Sequence, residues 1–303
     1  MNFILLTTTK CGLNLAKGLT KAGHSIKHIG IGTSEKGKPV GSLNTSDIVD
    51  YFDDTIGSTE IDINREEDIK KLLEGKDFDF IATSWPRIFS EGIISCCKSK
   101  VIGTHPTPLP YGRGRHPLHW MKVLGIRRSK LSAFWIDKGV DTGKVIATVK
   151  YRTKKGNNVI DDLLIVEDKH LKLGIKTGNN IKKHISGQIQ KEVGTSWRKR
   201  NSIDSHIDWR MSADSIRDHI KSINTPWPQA TFRTNCGREG RVSWSKKAHL
   251  ALLNRHNKWS QLGDILDERD LTDGTCSILV RCYGGATWIT YKKHEQLENQ
   301  KRV

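Results

Sequence analysis

Short apolar runs alternate with amphipathic segments along the first 150 residues. The apolar runs Asn2–Thr7 and Val101–His105 have the length of buried strands, and Cys11–Ala22 has helical spacing and stops at Gly23. Strands that alternate with helices predict βαβ units around a mostly parallel sheet. The same pattern predicts strands over Ser25–Ile31, Phe78–Ser84, Leu131–Asp137 and Lys144–Val149, and helices over Glu66–Leu73, with a cap at Asn64, and Ile93–Lys98.

The second half of the chain has a different pattern of predicted elements. A helix over Asn158–Leu171 is followed by connections rich in Gly, Asn and Lys. The pattern predicts a later helix, three short strands and Gly-containing turns, which suit a small β-rich barrel. We therefore expect a catalytic domain over 1–189, a linker over 190–206 and a barrel domain over 207–303. The predicted elements of the last domain are Ala213–Ile223, Ser260–Leu266, Cys276–Cys282 and Ala286–Tyr291.

Composition narrows the class of protein. The chain has 303 residues, 36% of them hydrophobic and 27% charged, which argues against a mostly disordered chain. No apolar run is long enough to predict a membrane-spanning helix. None of the six cysteines stands in a CxxC pair, so neither a zinc site nor a redox motif is predicted. We expect reduced thiols and a cytoplasmic protein.

The net charge of +17 changes the picture of possible partners. A basic surplus of this size attracts nucleic acid, a membrane surface or phosphorylated small molecules, although lysine-rich solubilisation explains it equally well. The segment Thr33–Lys38 has the residue types of a phosphate loop but lacks the GxxxxGK[ST] spacing, so it predicts no nucleotide site.

The densest chemistry follows the strand that ends at His105. The next residues, PTPLPYGRGRHPLHW, combine prolines and glycines with two arginines and two further histidines. Ligands of open parallel sheets bind outside the carboxyl ends of the strands, where a histidine suits acid–base chemistry. The alternative is a structural histidine that caps the loop.

A second polar element lies between two later strands. The sequence WIDKGVDTGKVI places Asp137 and Asp141 in a turn bounded by glycines. Taken alone, this is equally the pattern of a plain DxG turn.

Together these elements resemble the 10-formyltetrahydrofolate-dependent formyltransferase family. The residues that carry the resemblance are HPTPLPYGRGRHPLHW and SAFWIDKGVDTGKVI, with TSWRKRNSIDSHIDW further on, which is similar to the linker entering the family's small barrel domain. The resemblance covers nearly the whole chain. It implies an α/β fold with a Rossmann-like, mostly parallel sheet, helices on both faces, and an OB-like barrel after it.

The resemblance also implies catalytic residues. His105 matches the catalytic histidine and Asp141 the catalytic aspartate. Gly103 stands where the family has a catalytic asparagine, so an ordered water, a backbone N–H or the Thr107 hydroxyl would have to replace that oxyanion donor. Loss of such a donor typically costs about 10²–10³ in rate.

Binding residues follow from the same resemblance. The folate pocket would take contacts from two segments, although core packing explains Trp85 and Ile88 nearly as well. His116 and His119 have no third ligand nearby, so no metal is predicted. The candidate folate residues are Ser84, Trp85, Ile88, Ile136, Asp137 and Gly139, and the candidate substrate residues are Thr107, Arg113 and Arg115.

The leading functional hypothesis is N-formylation of a nucleotide-linked amino sugar, because the RGRHPxxW loop resembles the sugar-modifying members of the family. The alternative is a methionyl-tRNA formyltransferase, which the net charge and the barrel domain favour. Against it, the resemblance implies a longer basic insertion at Thr33–Asp47 in the tRNA enzymes, whereas this segment has two lysines and no arginine. A formyl-folate hydrolase, a folate-binding protein and a basic module without catalysis stay open. The expected partners are folate and the acceptor, with no membrane; a homodimer is left open.

Overall fold

The computed structural model describes residues 1–34, 52, 56–96, 100–184, 186–223, 227–248, 259–271 and 273–293. Its contacts divide the chain into two units. The first comprises Met1–Pro117, Arg128–Thr153 and Leu163–Arg198, and the second comprises Leu118–Arg127, Lys154–Asp162 and Lys199–Val303. The predicted linker is thus shared between the units, with its residues up to Arg198 in the first. None of the described helices is long and apolar enough to cross a membrane.

A seven-stranded sheet forms the centre of the first unit, in the order β3-β2-β1-β4-β5-β7-β8. The first five strands in this order run parallel, whereas β7 is antiparallel to β5 and β8 is antiparallel to β7. The strands are β1 (Asn2–Thr7), β2 (Ser25–Thr33), β3 (Gly57–Asp62), β4 (Phe80–Ser84), β5 (Val101–His105), β7 (Arg128–Trp135) and β8 (Val145–Arg152). A two-stranded ladder joins β6 (Arg113–Gly114) to β9 (Ser196–Trp197).

Helices cover the sheet because successive strand residues point to opposite faces. Ile4 and Leu6 share a buried cluster with Ile69 of α2 and Ile93 of α3, whereas Phe3 and Leu5 face the other way. The helices of this unit are α1 (Lys10–Lys21), α2 (Glu66–Leu73), α3 (Glu91–Cys96) and most of α5 (Val159–Lys182), whereas α4 (Pro117–Val123) falls in the second unit from Leu118 onward.

Helix α5 is longer than predicted, because its glycines are contact points and not breaks. A Cβ on Gly174 would lie 2.2 Å from the Leu15 carbonyl oxygen, and one on Gly18 would lie 2.2 Å from the Leu171 carbonyl oxygen. The two glycines therefore allow α1 and α5 to approach closely, and the helix continues to Lys182.

Two local predictions were wrong. Asn64 does not cap α2: Arg65 precedes the helix, and the Asn64 side chain instead donates to Asp62 Oδ1 at 3.1 Å. The strand predicted over Ser260–Leu266 begins only at Ile265, after a turn in which Gly263 has a φ of 92°. Most of Thr33–Asp47, including all of its lysines, lies outside the described residues.

The second unit is built on a five-stranded antiparallel sheet in the order β10-β11-β14-β13-β12. Its core joins Phe232, Ile278 and Ile289 of the sheet to Ile216 and Ile220 of α6. The predicted class, a mostly parallel α/β sheet followed by a small β-rich domain, is confirmed. The elements are α6 (Ala213–Ser222), β10 (Ala230–Arg233), β11 (Glu239–Lys247), β12 (Ile265–Asp270), β13 (Thr275–Cys282) and β14 (Gly285–Lys292).

Candidate active site

The last residue of β5, His105, is held by the loop that follows it. Its ring nitrogen Nε2 lies 2.7 Å from the Gly112 carbonyl oxygen. Because a carbonyl oxygen only accepts hydrogen bonds, Nε2 carries the proton in this contact. The Thr107 hydroxyl donates to the same oxygen at 3.3 Å. One carbonyl group therefore fixes both the imidazole ring and the turn of the loop.

Asp141 approaches the other ring nitrogen from the turn between β7 and β8. Its Oδ2 atom lies 3.5 Å from His105 Nδ1 and accepts a hydrogen bond from the Gly114 N–H at 2.9 Å. Asp141 has a φ of 57°, in the left-handed region that a non-glycine residue rarely adopts. Among the described residues nothing donates to its Oδ1 atom, so this oxygen is available to a ligand in the cavity.

Gln190 holds the Asp141 turn from behind. Its side-chain oxygen accepts from Arg113 Nε at 3.1 Å and from Nη2 at 2.8 Å. Its side-chain nitrogen donates to the carbonyl oxygens of Asp141 at 2.8 Å and Gly143 at 2.7 Å. Arg113 thus fixes the Gln190 amide, which in turn fixes the backbone of the Asp141 turn.

The same downstream segment ties the His105 loop in place. The Gly112 N–H donates to Thr195 Oγ1 at 2.8 Å, and Gly114 pairs with Trp197 in the β6–β9 ladder. A Cβ on Gly114 would lie 2.2 Å from the Trp197 carbonyl oxygen, and its φ is 100°. Only glycine fits this position, which explains the second glycine of the YGRGR sequence.

Gly103 faces an apolar wall. A Cβ at this position would lie 3.1 Å from both Phe134 Cζ and Ile136 Cγ1, and 3.2 Å from Ile136 Cδ1. These two side chains occupy the space next to Gly103 in which an asparagine side chain would begin. The Thr107 hydroxyl does not replace the amide, because it is buried and donates to the Gly112 carbonyl.

A cavity of about 580 Å³ opens beside His105 and Asp141, within the range of small-molecule sites. Threonines that the sequence analysis did not single out, Thr8 and Thr9, also line it, and Thr9 Oγ1 lies 3.1 Å from Ser84 Oγ. The predicted residues in its wall are Ser84, Trp85, Ile88, Gly103, His105, Arg115, Ile136, Asp137, Gly139 and Asp141.

The structure does not bring two predicted substrate residues, Thr107 and Arg113, into this wall. Thr107 is 1% exposed, and the Arg113 guanidinium is turned toward Gln190. Both residues support the loop from behind. Arg115 alone of the three lies on the cavity, with its side chain exposed.

The wall opposite His105 combines apolar surface with a fixed turn. Ile88 is 74% exposed although it is a large hydrophobic residue, which suits contact with an apolar ligand ring. Asp137 Oδ1 accepts from the Gly139 N–H at 3.1 Å and from Thr142 Oγ1 at 2.5 Å. These two hydrogen bonds fix the turn that begins at Asp137 and hold the Asp137 carboxylate at the edge of the cavity.

One group of residues in the second unit has metal-ligand chemistry. Potential ligand atoms of Glu268, Asp270 and Cys276 lie within 4.8 Å of one another. However, Glu268 pairs with Arg238 at 2.7 Å and Asp270 with Lys293 at 2.6 Å. Burial, with a smaller contribution from Glu268, raises the pKa of the Cys276 thiol to about 11, which disfavours the thiolate that a metal needs. This group is an ion-pair network.

The sequence matches two family models. Residues 2–163 match the formyl transferase model, and residues 200–303 match the model of the formyl transferase C-terminal domain. Curated relatives include the methionyl-tRNA formyltransferase of Rickettsia bellii, which is 26% identical over 78% of this chain and 78% of its own length. The methionyl-tRNA formyltransferase of Clostridium beijerinckii is 28% identical over 54% of this chain and 53% of its own length.

Solved structures share the fold. An N-formyltransferase from Helicobacter canadensis, in complex with folinic acid and dTDP-3-aminofucose, matches with a TM-score of 0.65 and 14% identity over 96% of this chain and 98% of its own. HypX from Aquifex aeolicus, in complex with tetrahydrofolic acid, matches with a TM-score of 0.60 and 15% identity. The match covers 96% of this chain and 44% of the HypX chain. With both family models matched in order along the sequence, this chain belongs to the formyl transferase family.

Proposed function

We propose that this enzyme transfers the formyl group of 10-formyltetrahydrofolate to the amine of a nucleotide-linked amino sugar. The observation that carries the proposal is one cavity that joins His105 and Asp141 to the exposed guanidinium of Arg115. A guanidinium matches the geometry of phosphate oxygens, which supports a role for Arg115 in neutralising the diphosphate of such an acceptor. The structure of the Helicobacter canadensis enzyme is a complex with folinic acid and dTDP-3-aminofucose, which supports both ligand classes.

Folate would occupy the part of the cavity between the two loops. Trp85, Ile88 and Ile136 offer an apolar wall, and Ser84 and Asp137 offer polar atoms at its edge. A pteridine ring needs both, since its faces are apolar and its rim carries hydrogen-bonding groups. A Cβ on Gly139 would lie 2.1 Å from Thr142 Oγ1, so glycine at this position lets the turn beside the folate form.

Transfer begins when the acceptor nitrogen attacks the formyl carbon. A carbon–nitrogen bond forms, the carbonyl π electrons move to the oxygen, and the nitrogen becomes positively charged. Asp141 takes a proton from this nitrogen through its unoccupied Oδ1 atom. The electron pair on the oxygen then re-forms the carbonyl as the bond to folate N10 breaks, and N10 receives the proton from Asp141, so tetrahydrofolate leaves neutral and the Asp141 carboxylate is restored.

His105 stabilises the oxyanion that exists between the attack on the formyl carbon and the loss of folate. In the free enzyme its Nε2–H donates a hydrogen bond to the Gly112 carbonyl oxygen. A charge-assisted hydrogen bond is stronger than a neutral one, so the oxyanion competes successfully for this donor. Because Phe134 and Ile136 fill the space beside Gly103, no side-chain amide shares this task, and His105 carries a larger part of it.

A second acceptor, methionyl-tRNA, is favoured by two observations. The curated relatives described above are methionyl-tRNA formyltransferases, and the net charge of +17 suits a polyanionic partner. RNA affinity falls steeply with salt, whereas a sugar nucleotide with two phosphates responds mildly. The salt dependence of KM therefore separates the two acceptors.

The test measures tetrahydrofolate release from 10-formyltetrahydrofolate by the wild type, by His105→Asn and by the matched control His28→Asn. His28 lies in β2, outside the cavity wall. Each protein is assayed without acceptor, with nucleotide-linked amino sugars and with methionyl-tRNA. Turnover with a sugar nucleotide, lost in His105→Asn and retained in the control, supports the proposal.

Other outcomes overturn it in distinct ways. Turnover with the tRNA alone assigns the second acceptor, and release without any acceptor assigns a formyl-folate hydrolase. Equal turnover by His105→Asn and the wild type contradicts the catalytic assignment, whatever the acceptor. Absence of folate binding by calorimetry contradicts the co-substrate.

A further inference from the structure

A second cavity, of about 690 Å³, lies at the β7–β8 hairpin and shares no lining residue with the catalytic cavity. It lies at the end of the hairpin where β7 begins and β8 ends, whereas the turn with Asp137 and Asp141 joins the strands at the other end. We call this cavity the basic groove, lined by Pro108, Arg128, Ser129, Lys130, Lys150, Tyr151, Arg152 and Lys169.

The groove concentrates positive charge. Five of its eight lining residues are lysine or arginine, and none is acidic. Lys169 pairs with Asp168 at 2.6 Å. No carboxylate in the described part of the chain forms an ion pair with the other four, Arg128, Lys130, Lys150 and Arg152. These four cations are exposed, and together they hold a surplus of positive charge that no carboxylate among the described residues pairs with.

Their placement in the sheet is unfavourable without a ligand. Arg128 is paired directly with Arg152, and Lys130 directly with Lys150. Side chains of directly opposite residues lie on the same side of the hairpin, about 5 Å apart at their Cβ atoms, where like charges destabilise the pairing. Two successive like-charge pairs indicate a site in which an anion relieves the repulsion.

The floor of the groove is fixed by hydrogen bonds to the loop that follows His105. Ser129 Oγ donates to the Pro106 carbonyl oxygen at 3.1 Å, and the Tyr151 hydroxyl donates to the same oxygen at 2.6 Å. Ser129 and Tyr151 are buried and alternate with the cations along β7 and β8, so these hydrogen bonds fix the two strands from the face opposite the four cations. The volume of the groove suits a small ligand, and its cations are clustered and do not form a stripe.

We infer that the basic groove binds the polyphosphate group of a small ligand, in the manner of a nucleoside di- or triphosphate, outside the catalytic cavity. The phosphates would lie between the Arg128–Arg152 and Lys130–Lys150 pairs, where arginine offers bidentate hydrogen bonds and lysine a point charge.

The experiment compares the wild type with Lys130→Gln/Lys150→Gln and with a charge-matched control, Lys27→Gln/Lys71→Gln. Lys27 and Lys71 are exposed in the same unit and line neither cavity. Glutamine keeps most of the side-chain length and removes the charge. Calorimetric titrations at low ionic strength use pyrophosphate, ATP, uncharged adenosine and a short single-stranded RNA. Formyl transfer by each variant is assayed in parallel.

We expect pyrophosphate and ATP to bind the wild type and the control equally, and the groove variant at least about tenfold more weakly, because two charge-assisted contacts are lost. Adenosine should bind none of them. Formyl transfer should be retained by both double variants, since none of the four lysines lies in the catalytic cavity.

Equal affinity of the groove variant and the wild type for pyrophosphate and ATP overturns the inference. Binding of the RNA through Lys130 and Lys150, without binding of the two small ligands, also overturns it and makes the groove an RNA contact. Because these titrations do not depend on turnover, their outcome is independent of the acceptor that the catalytic cavity accepts.

Discussion

The two sides of strand β5 differ in whether the polar groups beside them have hydrogen-bond partners within the protein. On one side, Gly103 and His105 lie at a cavity, and the histidine is surrounded by groups that a ligand can engage. On the other side, the Thr104 hydroxyl lies 3.2 Å from Nε2 of His170, a residue of α5 that is 3% exposed. His170 Nδ1 in turn lies 2.8 Å from the Val166 carbonyl oxygen.

The comparison shows how one strand supplies both reactivity and rigidity. Since the Val166 carbonyl accepts from Nδ1–H, the neutral His170 ring has Nε2 as an acceptor for Thr104. Both ring nitrogens of His170 therefore have a partner inside the protein. On the cavity side, by contrast, Asp141 Oδ1 has none among the described residues. The chemistry is available where hydrogen bonds are incomplete, and the complete ones behind the strand hold it in place.

The largest effect should come from the cavity side. Asp141→Asn keeps an acceptor for the Gly114 N–H and a residue type that tolerates the left-handed backbone, so the protein should fold. It removes the base, and kcat should fall by about 10²–10⁴-fold. Steady-state kinetics at saturating folate and acceptor, with thermal unfolding as a check on folding, measure this.

Asp137→Asn provides the contrast within the same turn. An asparagine oxygen can still accept from Gly139 and Thr142, so the turn keeps its hydrogen bonds. The change should act on the KM for the folate more than on kcat. A loss of kcat equal to that of Asp141→Asn would contradict the assignment of the base to Asp141.

A second test changes the packing beside the histidine. Gly103→Asn should not restore an oxyanion donor, because its Cβ would contact Phe134 and Ile136 at 3.1 Å. Overpacking of this kind costs about 1–3 kcal/mol of stability. Adding Ile136→Ala opens the space, so the double variant should exceed the Gly103→Asn variant in kcat. Urea unfolding measures the stability, and steady-state kinetics the kcat, of Gly103→Asn and of the double variant. If Gly103→Asn alone were as stable as the wild type and had a higher kcat, the Phe134 and Ile136 side chains would have to move aside at little cost, which contradicts this expectation.

Much of this arrangement was predictable from the sequence, because the signals are local. The apolar run Val101–His105 and the turn with Asp137 and Asp141 each occupy a few adjacent residues, and the structure places both at the cavity. The alternation of residues along β5 also predicts that Gly103 and His105 share a side. The catalytic and binding roles of these residues stay predictions.

The supporting residues could not be predicted, since no local pattern marks them. Gln190 and Thr195 lie 77 and 83 residues from their partners in the His105 loop and stand in a segment that composition marks as a linker. The position of Arg113 and Thr107 outside the cavity wall could not be predicted for the same reason: the motif places them in the loop, but only tertiary hydrogen bonds decide which way their side chains point. Strand β12 was misplaced because its sequence, ILDERD, is mostly charged and exposed.

The smallest expected effect concerns the side of β5 away from the cavity and appears as pH dependence of stability. Burial lowers the pKa of His170 to about 4, whereas a histidine in the unfolded chain titrates near 6.5. Between these values the unfolded chain binds the additional proton, so the free energy of unfolding decreases as the pH falls. His170 alone should account for about 2 kcal/mol of the loss between pH 7 and pH 5.

His170→Gln isolates this contribution. The variant should be less stable than the wild type at pH 7, because it loses the buried ring, yet it should lose about 2 kcal/mol less on going to pH 5. Urea unfolding of both proteins at the two pH values measures the difference. The pKa of His24 and of His219 is also lowered by burial, but both residues are present in both proteins, so they cancel. An identical loss in the two proteins would mean that His170 is not held neutral, and the rigid side of β5 would then be less completely paired than its hydrogen bonds indicate.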